Sequence, residues 1–447
     1  MAAVLRLVQL LALLCSLVLA APTTGPAFPV DDPWYVPPEG FESTAPGTIL
    51  RSRTPPYPMA AFGVAKVNVA EAHQLLYRTT NSFGDPIATV STILVPHNAD
   101  YTKLLSYQVA QDAADPNCAP SYAFQFEAAR NGPLGLILPQ AELLLMATAM
   151  DKGWVVTVPD HLGPKGTFLA NTLSGQAVLD NVRAALSSSD LTKISPDSTV
   201  SLWGYSGGSL ASGFAAELQS SYAPELKIAG AALGGTVPKI PPVIEAVNQG
   251  IFTGLIPAGV QGLSNEYPSI AKIIDENIIE DKKPAFSDTK NLCLPANIVE
   301  YLGQDIYTYT KNPDIFTAPE VTKILDANAM GHHIPEIPLI VYKSANDEVS
   351  PVNATDELVT SYCDAGADVE YKRDFLSEHG SLVITGVPDA MIWLNDRMNG
   401  VPVEKGCSRE TDLTGLQDPK ALAVLGTDIV EILLHLLSAP VGPIMIG

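Results

Sequence analysis

One stretch of this chain leaves little freedom for the fold around it. Thr199-Val200-Ser201-Leu202-Trp203 is a β-branched and apolar run, and Gly204-Tyr205-Ser206-Gly207-Gly208 follows it as Gly-x-Ser-x-Gly. Residues 211–218 then form a small-residue, helix-forming segment. Strand, tight turn and helix in direct succession, with a serine at the apex, are what a nucleophile elbow requires. The flanking glycines avoid a steric clash where the backbone doubles back, and the serine sits in a strained turn. The elbow also sets the amide of Gly207 and the helix amino end beside the Ser206 hydroxyl, where they stabilise a developing oxyanion. A Gly/Ser-rich loop can match the bare pattern by chance. The strand before it and the helix after it favour the elbow.

The rest of the pattern agrees with an α/β chain. Residues 73–80 and 87–95 read as two antiparallel strands joined by the turn Asn81-Ser82-Phe83-Gly84-Asp85-Pro86. Short apolar or β-branched runs at 104–109, 154–158, 227–233, 338–343 and 369–375 read as further strands, and 176–187 has helical spacing. Alternating strands and helices imply a largely parallel sheet covered on both faces. Residues 236–333 break the rhythm with mostly helical pattern between two sheet strands, so they read as an inserted helical cap rather than an independent domain. Residues 21–58 hold many prolines and read as an extended surface arm. No internal repeat or low-complexity segment is visible. The chain has 447 residues, 47% hydrophobic and 17% charged, which suffices for a large core and excludes disorder. A formal charge of −22 argues against nucleic acid, whose phosphates demand basic patches, and against electrostatic docking on anionic membranes.

The first twenty residues bear on compartment. Arg6 precedes an apolar run over 7–19 broken by Gln9 and Ser16, and Val18-Leu19-Ala20 closes it in a small-x-small cleavage pattern. A signal peptide over 1–20, a mature chain of 21–447 and secretion are expected, against the competing reading of an N-terminal anchor. The apolar stretch 421–437 carries Asp428, Glu431 and His435, so it reads as an amphipathic helix, and no downstream segment is expected to span a bilayer. Cys15 would leave with the signal. Cys118, Cys293, Cys363 and Cys407 remain, an even set suited to disulfides in an oxidising compartment, with three pairings open. Without a Cys-x-x-Cys pair, no metal site is expected. Asn353-Ala354-Thr355 is a glycosylation sequon, expected on an exposed loop.

A serine hydroxyl is a weak nucleophile until a neighbouring base takes its proton, and in this kind of fold the order is Ser, acid, His. The histidines after Ser206 are His332, His333, His379 and His435. His379 lies in the polar segment Leu376-Ser377-Glu378-His379-Gly380-Ser381, where such a sheet presents its base. His435 falls inside the amphipathic segment, and His332 and His333 precede the strand whose end should carry the acid. That strand, 338–343, leads into Asn346-Asp347-Glu348-Val349-Ser350-Pro351. Asp347 just past the strand end can hold and orient an imidazole. Glu348 is the close competitor, and Asp374 a weaker one because it is too near His379.

The elbow, the acid loop 346–351 and Glu378-His379 together resemble the fungal secretory lipase family. Ser106-Tyr107-Gln108 with Asp112, Cys118-Ala119-Pro120-Ser121-Tyr122, Ser221-Tyr222-Ala223-Pro224-Glu225-Leu226, Tyr77-Arg78-Thr79-Thr80-Asn81 and Asp32-Pro33 also fit that family. The similarity covers nearly all of the expected mature chain. It implies an α/β-hydrolase fold with a helical cap, a triad of Ser206, Asp347 and His379, and an oxyanion hole from Gly207 and Asp112. Asp112 follows the strand at 104–109, where such folds supply the second donor, although no His-Gly-Gly-Gly segment is present. The resemblance further suggests the pairs Cys118–Cys293 and Cys363–Cys407, the first tying cap to core.

The activity so implied is serine carboxylic-ester hydrolysis without metal or organic cofactor. Ile240-Pro241-Pro242-Val243-Ile244 and residues 249–260 are apolar and suit the walls of an acyl tunnel or a movable lid; the competing reading is ordinary cap helices packed on the core. A lipase acting on acylglycerols is expected first. An esterase deacylating a small fungal metabolite is the alternative, and a non-catalytic protein binding an apolar ligand comes third, disfavoured by intact Ser206, Asp347 and His379. The expected partners are an ester or lipid substrate and transient contact with a lipid interface, not nucleic acid. A monomer is the default.

Overall fold

The computed structural model describes residues 25–421 other than 63, 64, 133 and 419. The expected signal segment 1–20 with Cys15, and the amphipathic segment 421–437 beyond Ala421 with His435, lie outside the described residues.

Among the described residues there are twelve strands, with helices between them from β6 onward: β1 (Ile49–Arg53), β2 (Ala60–Ala61), β3 (Ala65–Lys66), β4 (Glu71–Thr80), β5 (Pro86–Val95), β6 (Asp100–Gln108), β7 (Trp154–Pro159), β8 (Thr199–Tyr205), β9 (Ile228–Gly234), β10 (Leu339–Ser344), β11 (Val369–Asp374) and β12 (Cys407–Asp412). β2 and β3 pair with each other, and the rest make one sheet in the order β1-β4-β5-β7-β6-β8-β9-β10-β11-β12. The β1–β4, β4–β5 and β5–β7 pairs are antiparallel. From β7 onward every pair is parallel.

Strand residues point alternately to the two faces, and in β8 both faces are apolar. Val200 and Leu202 enter the core shared with the helices Asn171–Leu186 and Gly207–Tyr222. Trp203 and Tyr205 enter the opposite core, shared with the helices Ile137–Asp151 and Val387–Met398. A strand buried on both sides reads as a continuous apolar run, which is why the central strands were legible. β4 and β5 are joined by the expected turn, where the Asn81 carboxamide oxygen accepts the amides of Phe83 and Asp85 at 2.9 and 2.8 Å.

Between β9 and β10 the chain is helical, with α-helices at Ile240–Val247, Leu255–Glu266, Pro268–Asn277, Lys283–Asp288, Leu294–Tyr301 and Pro319–Ala327. Five of these six carry proline in the first turn, where its fixed φ suits a helix and its missing N–H costs nothing. Ile240, Val243, Ile256, Ile270 and Leu325 join the same apolar core as Leu202 and Leu210, so this insertion is continuous with the sheet's packing. A disulfide links Cys118, just after β6, to Cys293 in the insertion, and another links Cys363 to Cys407.

Three expectations change. Residues 25–58 are more than an arm, because β1 pairs along the edge strand β4 and Arg53 reaches Asp32 at 2.6 Å while stacking over Trp34. β12 had no sequence signal: Cys-Ser-Arg-Glu-Thr-Asp is polar because it is a fully exposed edge strand. Asn353 is exposed as expected, but it sits in the first turn of the helix Val352–Asp364 rather than on a loop.

Candidate active site

β8 ends in the elbow. Ser206 has φ 52° and ψ −120°, a conformation that costs about 1–3 kcal/mol and persists only when its surroundings enforce it. They do so here. The Ser206 amide donates to Gly234 O on β9 at 2.8 Å, and the Ser206 carbonyl starts the next helix by accepting the amide of Leu210 at 3.1 Å. A Cβ at position 208 would lie 1.9 Å from Gln108 O, so glycine is needed for the helix to approach β6.

His379 Nε2 lies 2.8 Å from Ser206 Oγ, and His379 Nδ1 lies 2.8 Å from Asp347 Oδ2. Asp347 is buried at the turn after β10, and its other oxygen accepts the amides of Val349 and Ser350 at 2.9 and 2.6 Å. Lys343 Nζ also reaches Asp347 Oδ2 at 2.8 Å. Burial alone would raise the Asp347 carboxyl, but the hydrogen bond and charge of His379, with the Lys343 ammonium, outweigh it and hold the group at about 2.

The competing acids serve the backbone instead. Glu348 accepts the amide of His379 at 2.5 Å and that of Gly380 at 3.3 Å. Asp374 accepts the amides of Leu376 and Ser377 and so turns the chain out of β11. His379 is the first residue of the helix His379–Thr385, opened by a capping box between Glu378 and Ser381. The Tyr205 phenol donates to His379 O at 2.5 Å, fixing the ring's backbone to the elbow strand. His332 bonds the carbonyl of Asp326 and is exposed, while the His333 amide donates to Glu217. None of these contacts leads to Ser206.

Gly207 and Asp112 meet beside the serine. A Cβ built on Gly207 would stand 1.9 Å from Asp112 Oδ1, so the carboxyl occupies the place of a side chain there. Asp112 is buried in a left-handed conformation with φ 43°. Burial pushes its carboxyl up to about 7, against the pull of its own amide. The approach to Asp112 is anchored by Glu142, which accepts the amide of Ala110 at 3.0 Å and the hydroxyl of Tyr107 at 2.8 Å.

Asp112, Ser206 and Gly207 line one end of a cavity of about 1070 Å³, counting its mouth. Its other walls are almost wholly apolar, with Ile240, Val243, Ile244, Leu255, Ile256 and Val260 drawn from the two cap segments singled out in the sequence. The first segment and the later half of the second therefore supply cavity wall, while none of residues 249–254 lines it and Ile251 points to solvent. Sequence reading missed Lys343, Glu348 in its backbone role, and Tyr205. A single lysine interrupting the apolar run Leu339-Ile340-Val341-Tyr342, four residues before Asp347, was the available signal. Among the described residues no group of three or more His, Cys, Asp or Glu side chains could hold a metal ion.

A parallel-rich sheet with helices on both faces and a serine–histidine–aspartate chain at the elbow define the class: an α/β-hydrolase acting on carboxylic esters. Residues 129–406 match the family model described as secretory lipase. The chain is 48% identical over 421 residues to Lipase A of Arthroderma benhamiae, covering 94% of this chain and 90% of that one. It is 38% identical to Lipase 5 of Candida albicans, covering 92% and 90%. Among solved structures, Candida antarctica lipase A in its closed state aligns with a TM-score of 0.82 at 28% identity, covering 92% of this chain and 96% of that one. The chain belongs to the secretory lipase family.

Proposed function

We propose that this protein is a secreted lipase that hydrolyses triacylglycerol and related fatty-acid esters through an acyl-enzyme. The observation that carries the reading is the chain Ser206–His379–Asp347, both links 2.8 Å, opening onto an apolar cavity. His379 Nε2 takes the proton of Ser206 as Oγ bonds to the ester carbonyl carbon. The charge that develops on the carbonyl oxygen is held by the Gly207 amide at the helix amino end and by Asp112. The tetrahedral species collapses, the C–O bond breaks, and the alcohol leaves with the proton from His379. Water then gives its proton to His379 and attacks the acyl carbon, releasing the fatty acid and restoring Ser206.

The cavity favours a lipid over a small acetate ester. Its almost wholly apolar walls, Ile240, Val243, Ile244 and Ile256 among them, offer an acyl chain burial in place of water. In the same proposal, residues 1–20 are removed as a signal peptide, residues 236–333 form the cap over the site, and the mature chain acts as a monomer outside the cell. The disulfides Cys118–Cys293 and Cys363–Cys407 suit that compartment.

Hydrolysis of p-nitrophenyl esters from acetate to palmitate and of emulsified triolein, beside Ser206→Ala, tests this. Activity that rises toward long chains and is lost in the variant is the expected result. Activity confined to acetate or butyrate assigns the protein to the small-ester hydrolases, and no turnover by the wild type removes the enzyme reading.

A further inference from the structure

Triads of this kind work with one carboxylate on one imidazole. Here Asp347 Oδ2 holds two groups, His379 Nδ1 and Lys343 Nζ, each at 2.8 Å. The ammonium and the ring are thus no further apart than those two bonds laid end to end. Lys343 lies on β10 inside the sheet, its side chain wholly out of solvent, and its second contact is Thr236 O at 2.8 Å. A buried ammonium is costly to keep charged, and burial lowers the affinity of Lys343 for its proton while Asp347 raises it.

We infer that Lys343 is a positioning residue of the hydrolytic site, whose charge opposes protonation of His379 and so extends ester hydrolysis to more acidic media. The inference rests on the roles assigned to His379 and Asp347 under the proposed function. Its physical basis is simple. An imidazolium beside a bare buried carboxylate is strongly favoured, because the two charges attract in a low-dielectric site. With Lys343 offsetting part of the Asp347 charge, an imidazolium gains less than it would beside the carboxylate alone, which favours a ring ready to accept the Ser206 proton. The other charged or titratable groups around His379 are Glu348 at its amide, Glu378 before it and Tyr205 at its carbonyl, with Asp112 beside Gly207, the residue after Ser206. Asp374 lies in the same turn, spent on the amides of Leu376 and Ser377. All but the Tyr205 phenol are acids, so Lys343 is the one cation in this set.

Removing the charge need not empty the site. Thr236 O also accepts the hydroxyls of Ser350 and Thr355 at 3.2 and 3.3 Å, and Asp347 keeps the amides of Val349 and Ser350. Lys343→Met matches the stem without charge, and Lys343→Gln keeps a donor without charge. Rates of hydrolysis of a soluble butyrate ester are measured from pH 4 to 8 with the product quantified by chromatography, each profile scaled to its own maximum. The acid limb of kcat/KM is expected to move up by about one pH unit in both variants, since a like charge within about 4–6 Å shifts titration by that order. Circular dichroism and Tm accompany each profile. A folded variant whose rate falls at every pH with the limb unmoved overturns the inference, as does loss of the fold in both variants, which makes Lys343 a structural residue only. Ser206→Ala and His379→Ala separate the two claims: if either retains wild-type turnover, the triad reading fails first.

Discussion

The Asp112 carboxyl stands in the space that a side chain at position 207 would need, and that contact yields two expectations. Gly207→Ala puts a methyl group 1.9 Å from Asp112 Oδ1, so the carboxyl or the Gly207 amide must shift. The loss expected is about 10²–10³ in kcat, the cost of one oxyanion donor, with little change in Tm. Steady-state kinetics beside a thermal melt check it, and a near-normal kcat contradicts the placement. The second expectation concerns pH. Burial holds Asp112 up to about 7, so it is neutral below that value and ionised above it. An ionised carboxylate repels the oxyanion, so kcat should fall as pH rises through about 7. Asp112→Asn stays neutral, and its kcat profile should lose that alkaline limb whatever its absolute rate. Residues also show where sequence reading ran out. Ser206 was legible because its neighbours in the chain create its geometry. Lys343 was not, because a lysine in a strand is ordinarily exposed, and its burial against Thr236, 107 residues away, is not visible along the chain.

At the scale of elements, the site is an arrangement of strand ends. β6, β8 and β10 each present a residue at their carboxyl ends (Asp112, Ser206 and Asp347), and His379 follows β11. Parallel strands make this possible, since every strand then ends on the same side of the sheet. Helices of the insertion line the cavity that reaches the serine. Ile256 lines the cavity on Leu255–Glu266 and is buried. Ile256→Trp fills part of that space, so kcat/KM for palmitate should fall at least about tenfold relative to butyrate, the order of discrimination a hydrophobic pocket achieves. Equal losses on both esters would show that the cavity does not hold the acyl chain. The strands that bind the site were read from sequence because they are buried on both faces. The missed ones in this sheet, β1 and β12, are edges, whose exposure allows charge and polarity, and the two-residue strands β2 and β3 are too short to show a period.

For the whole molecule, charge and burial combine into a dependence of stability on pH. Burial raises Asp112 and Asp160 to about 7 and Glu142 to about 8. Their folded values exceed those of the unfolded chain, near 4, so the folded protein holds protons that the unfolded one has lost. The stability these groups contribute is complete below about pH 4 and is lost as pH rises through 7 to 8. His161 acts oppositely: burial lowers it to about 4, so stability falls as pH drops below about 6.5. Asp347, held at about 2, costs stability only in stronger acid. Three carboxyls outweigh one imidazole, and a net charge of −22 adds self-repulsion at high pH. Tm should therefore peak near pH 4 and decline toward pH 8 in scanning calorimetry at fixed ionic strength. A Tm that climbs across that range contradicts the burial of these acids.

The sequence by itself determined what is local. The elbow around Ser206, the central strands, the helical insertion and the chain order serine, acid, histidine all follow from residues a few positions apart or from periodicity along one element. Only the tertiary structure decided what depends on distance through space. It set Asp347 rather than Glu348 or Asp374 against His379, joined Cys118 to Cys293 across 175 residues, and enclosed Lys343 beside the same carboxylate. Periodicity tells which face of an element is buried, but not which other element covers it, and the acid, the ammonium and the apolar cavity are all made by that covering.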